Sequence, residues 1–74
     1  MTCERYDVSV NGQSTDAVGL RRLGALAFTH RLLQASPAAV QTIVINEQVT
    51  GEVRASWSRR AAGWSTQSVA GWMT

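Results

Sequence analysis

"VQTIVINEQVTGEVRASWSRRAAGWSTQSV", residues 40–69, encodes a three-stranded meander. Residues 40–46 are an apolar, β-branched run, and Gly51 marks the turn that follows. Residues 53–59 then alternate, with Val53, Ala55 and Trp57 on one side and Arg54, Ser56 and Ser58 on the other. "RRAAG" at 59–63 makes a second turn, and Trp64 opens a last short strand, "WSTQSV". Strands joined by turns this short pair as antiparallel neighbours. The alternation sends Trp57 into the core and Arg54 to the open face of the sheet. The side taken by Trp64 stays undecided, because "RRAAG" has room for a bulge that would reverse it.

Upstream of the meander, "RYDVSV" at 5–10 also alternates, with Tyr6, Val8 and Val10 on one side, and reads as a half-buried strand. "NG" at 11–12 stops it, and "QSTD" reads as a loop offering Ser14, Thr15 or Asp16 as helix caps. From about Asp16 to Gln34 the period turns helical. At 100° per residue Leu20, Leu23, Leu26, Ala27, His30 and Leu33 share one broad arc, the expected core face, with Gly19 and Gly24 on or near it for close approach to the sheet. Val18, Ala25, Phe28 and Leu32 form a second, smaller apolar patch on the far side, among Arg21, Arg22 and Arg31. Such a helix expects something on both sides: the C-terminal tail, or a subunit or partner that uses Arg21, Phe28 and Leu32. Pro37 ends the helix, since the residue before a proline is disfavoured in the α region. The expectation is an α+β fold in one domain spanning 1–74, a single helix on a small, mainly antiparallel sheet, in the order β-α-β-β-β.

Seventy-four residues with one cysteine and one histidine exclude an internal disulfide and leave no set of four zinc ligands. A core this small gains stability from association, so a protein partner or a homodimer is expected, and no cofactor or metal. The net charge of +2 is mild, but all seven basic residues are arginines, whose planar forks suit interfaces better than lysine. The first fifteen residues contain no secretory apolar run and no stretch approaches a membrane span, so a cytoplasmic protein is expected.

No catalytic motif appears, and the expectation is a non-enzymatic protein. His30, among leucines, reads as a core histidine, and Cys3, beside Glu4, as an inert thiol. The acidic residues are scattered; Glu47 and Glu52 flank a turn and read as solvated or paired with Arg54. That leaves the arginine- and tryptophan-rich hairpin. Arg54, Arg59, Arg60 and Trp64 are the expected partner-contact residues, since arginine and tryptophan dominate interface energetics. A small nucleic-acid-binding protein using the same arginines on phosphates is the alternative. It is disfavoured because a base-stacking platform needs aromatics on the open face, whereas Trp57 points inward.

The layout resembles that of very small phage-encoded proteins, including some type I anti-CRISPR proteins, in which a strand and a helix precede a three-stranded meander ending in a turn and "GW". The matching stretches are "YDVSV", "LRRLGALAFTHRLL", "TIVINEQVTGEVRASWSRR" and "AAGWSTQ". The resemblance implies an inhibitor, acting in the host cytoplasm, that docks on a nucleoprotein complex such as a CRISPR-Cas complex and blocks nucleic-acid binding or nuclease recruitment. It carries no family site residues.

Overall fold

A computed structural model describes residues 4–73. The elements are β1 (Tyr6–Val10), β2 (Gln13–Ser14), α1 (Arg22–Ala35), β3 (Thr42–Glu47), β4 (Val53–Arg60) and β5 (Gly63–Ser68). The five strands form one antiparallel sheet in the order β2-β1-β3-β4-β5, an α+β fold with the helix between β2 and β3.

The additional strand β2 comes from "NG". Asn11 (φ +52°) and Gly12 (φ +78°) both adopt positive φ, the two-residue turn that matches strand twist, and Val10 pairs with Gln13 across it. The chain then follows β1 instead of entering a helix. Thr15 donates its amide to the Val8 carbonyl (3.2 Å), Val8 donates to Ala17 (2.9 Å), and Tyr6 and Leu20 exchange bonds of 2.7 and 2.9 Å. Residues 15–20 thereby satisfy their backbone on the edge of β1. Ser14, Thr15 and Asp16 therefore do not cap the helix, which starts six residues later than the periodicity predicts, behind an Arg21 that makes no side-chain cap. Its end is as expected: Ser36 turns left-handed (φ +44°) before Pro37 and donates to the Leu32 carbonyl at 2.8 Å.

The helix rests on a different face from the predicted arc. Ala25 and Thr29 are fully buried, with Leu32, Leu26, Leu33 and Phe28 half-buried around them, whereas Leu23 is 72% exposed and Ala27 and His30 are also outside. Small side chains at i and i+4 let the helix backbone sit low on the sheet, and the larger ones splay to either side. Gly24 lies exposed on this helix and Gly19 outside it, at φ +65°, so neither mediates the approach.

Beneath α1 the strands align their inward residues in rows: Val8, Ile45 and Ala55, then Val10, Ile43 and Trp57. Trp57 is 4% exposed, in the core as the alternation predicts. A helix is only about 10 Å wide and strands lie about 4.8 Å apart, so one helix covers two or three strands. This one packs chiefly on β1. The inner residues Ala55 and Trp57 of β4 are still buried, whereas Thr66 and Ser68 on the inner face of β5 are exposed. The tail packs at the start of β1 and α1: the Trp72 ring meets Tyr6 edge to face at 5.2 Å, and Arg22 Nη1 donates to the Trp72 carbonyl at 2.8 Å. The tail thus packs beside the helix rather than over its outer side.

Candidate protein-binding surface

The pairing register shifts between Ile45 and Asn46, which pair with Ala55 and Val53 and leave Arg54 as the extra residue of a bulge. A bulge rotates its residue out of the alternation, and Arg54 does not lie free on the open face. Its side chain, 17% exposed, bonds Glu4 at 3.1 Å and Glu52 at 3.4 Å, and the Tyr6 hydroxyl donates to the other oxygen of Glu4. Burial works against the charge of Arg54, but Glu4 and then Glu52 outweigh it and raise the pKa. Glu47, expected in solvent or paired with Arg54, is 5% exposed and caps the β3–β4 turn. It accepts hydrogen bonds from the amides of Val49 (3.1 Å) and Thr50 (2.6 Å) and from the Thr50 hydroxyl (2.7 Å). The Thr50 amide, then its hydroxyl, then the Val49 amide hold the Glu47 pKa below its ordinary value.

At the other end of β4, Arg59 pairs with Trp64 and Arg60 with Gly63. No bulge intervenes, so Trp64 shares the inner face with Trp57 and Arg59. The Arg59 guanidinium lies 4.4 Å over the Trp64 ring. Its Nε donates to the Val40 carbonyl and its Nη2 to the Pro37 carbonyl, each at 2.9 Å. Arg59 is therefore a clamp that fixes the α1–β3 connection to the hairpin. Arg60 is exposed at the hairpin end. The structure thus gathers Arg59, Arg60 and Trp64 and separates Arg54 from them. Arg21 is exposed at the start of α1, but Phe28 and Leu32 pack against the core, so these three form no outer patch. Cys3 lies outside the described residues.

A cleft that sequence reasoning missed opens between α1 and β4. It measures about 370 Å³ and is lined by Leu26, Ala27, Thr29, His30, Leu33, Trp57 and Met73. Most of the arc predicted to be core is the wall of this cleft. Thr29 lines it, buried, with a hydroxyl that has no hydrogen-bond partner. The exposed His30, expected in the core, is its one ionisable group. The signal available in the sequence was the count of strands: one helix cannot cover them all.

Charge divides by element. The five side-chain carboxylates are Glu4, Asp7, Asp16, Glu47 and Glu52, so α1, β4, β5 and residues 69–73 carry none. The open face of the sheet carries Ser9, Val44, Ser56 and Gln67 in one row and Thr42, Ser58 and Ser65 in the next, without an aromatic ring. Among the described residues no three His, Cys, Asp or Glu side chains gather to hold a metal, and no helix is long and apolar enough to cross a membrane. Comparison with protein-family models, curated proteins and solved structures finds no match to this chain.

Proposed function

We propose that the chain is a non-enzymatic protein-binding module that acts by covering a surface of its partner, with the α1–β4 cleft as its docking site. The observation that carries this reading is the open apolar cleft beside Trp57. Apolar hollows rimmed by polar groups are where partner side chains anchor. Of the four expected contact residues, Arg60 and the exposed part of the Arg59–Trp64 stack remain at the surface beside β5. Nucleic-acid binding is disfavoured because Arg54 and Arg59 are engaged within the fold and the open face offers no ring for stacking.

The test uses Ala27→Glu and Met73→Glu, two cleft-rim substitutions at exposed positions. Affinity capture from host extract, with the partner identified by mass spectrometry, should lose that partner by about tenfold or more with both variants while the melting temperature holds. Retention on DNA or heparin with a steep salt dependence, unchanged by either variant, would reject the reading in favour of phosphate binding. The resemblance to anti-CRISPR proteins names a finer partner class, a nucleoprotein complex in the host cytoplasm. Adding the chain in molar excess to a purified type I effector complex should then block its binding of target DNA. No effect there would reject the inhibitor reading alone.

A further inference from the structure

We infer that β5 is a strand-addition edge: an extended segment of the partner protein, apolar at alternate positions and flanked by carboxylates, pairs with it and seats side chains beside the cleft. The inference rests on the protein-binding reading and names what the partner offers. Backbone geometry comes first. Val69 donates to the Arg54 carbonyl at 2.8 Å, while Arg59 donates toward β3, to the Gln41 carbonyl, also at 2.8 Å. Even-numbered residues of β4 therefore face β5. With Ser56 opposite Gln67, Ser58 opposite Ser65 and Arg60 opposite Gly63, the residues of β5 that bond β4 are Gly63, Ser65 and Gln67. The N–H and C=O groups of Trp64, Thr66 and Ser68 point to the free edge, where no described residue pairs with them.

Edges left this way template another strand unless charge, proline, a bulge or shortness blunts them. The opposite edge is blunted on several counts. β2 has two residues, and the chain after it is irregular, carries Asp16 and turns at Gly19 with φ +65°. β5 has six residues, "GWSTQS", with no charge, no proline and no break in register against β4. The side chains of Trp64, Thr66 and Ser68 lie on the inner face, the side of the cleft. A strand added there places every second side chain on that same face.

Charge selects the occupant. No side-chain carboxylate stands on α1, β4, β5 or residues 69–73, whereas Arg60 is exposed at the hairpin end. The β5 strand of a second copy carries no carboxylate to answer Arg60, whereas an acidic-flanked strand from another protein meets it with the opposite sign.

The experiment pans a displayed library of random twelve-residue peptides on the immobilised full chain. A parallel panning uses Thr66→Pro, which removes an outward N–H and no bond to β4, as an edge position tolerates. Enriched peptides should alternate apolar and polar residues, carry Asp or Glu at an end, and bind Thr66→Pro about tenfold more weakly or worse. Arg60→Glu should weaken them about threefold. The synthesised winner should protect the amides of Trp64, Thr66 and Ser68 from hydrogen exchange. No enrichment over the Thr66→Pro panning, or protection at other amides, overturns the inference. So does a free chain that sediments as a dimer with those amides already protected, which would assign the edge to a second copy. Thr66→Pro that keeps full capture of the cellular partner, while the cleft-rim variants lose it, overturns strand addition and upholds the protein-binding reading.

Discussion

At the scale of single residues, buried polar side chains decide where this fold is firm and where it is left incomplete. Glu47 replaces the missing partners of the β3–β4 turn with one carboxylate that accepts from Val49 and Thr50. Its pKa is depressed on folding, so its contribution is present in full above the ordinary value of 4.5 and is lost as the pH falls toward and through the lowered folded value. Urea midpoints measured from neutral to acid pH should therefore decline in that window, and Glu47→Gln should be less stable at neutrality with a flatter acid limb. Thr29 is the opposite case. Its buried hydroxyl lacks a partner, and replacing an unpaired buried hydroxyl by a methyl removes a desolvation cost. Thr29→Val should stabilise the chain by about 1 kcal/mol, read as a rise in the denaturation midpoint at constant slope.

Elements are joined here by side chains that the sequence presents as surface. Arg59 bridges the α1–β3 connection and the β4–β5 hairpin through two carbonyls and the Trp64 ring. Charge-assisted hydrogen bonds contribute more than neutral ones, although partial exposure reduces the sum. Arg59→Met should cost about 1–2 kcal/mol in chemical unfolding. Arg60→Glu, one residue on and exposed, should shift stability by no more than about 0.5 kcal/mol. Equal losses for the two would contradict the clamp. The residue pattern puts Arg59 in the "RRAAG" turn, but β4 runs on through Arg60 and extends the alternation, so Arg59 shares the face of Trp57. What it bonds was not legible either, because Pro37 and Val40 come from a connection whose path no local pattern specifies.

On the scale of the whole molecule, a 14-residue helix and a five-stranded sheet are mismatched in width. The Cα dimensions of 41 × 26 × 18 Å describe a long, flat body, and the helix packs chiefly on β1. The uncovered part is the cleft and the free edge of β5. Because the edge is read as a site for a foreign strand, the free chain should sediment as a monomer and melt at a temperature independent of its concentration. A melting temperature that climbs with concentration would point to self-association.

Much of this protein was determined locally by its sequence. The alternation of 5–10 and 53–59, the β-branched run before Gly51 and the stop at Pro37 specify the strands, the end of the helix and the burial of Trp57, because each depends on neighbours within a turn or a strand. "NG" also specified the hairpin that makes β2, through the positive φ that both residues accept. Only the tertiary structure decided which helix face is buried, since two apolar arcs competed and the small pair Ala25 and Thr29 permits the closer approach. It alone moved Arg54 out of the alternation, through a register shift set by the pairing of two strands. The cleft and the open edge are likewise absent from any local pattern. The count of strands against one helix says that some part must stay uncovered, but which part is decided only once the sheet is assembled and the helix has settled on β1.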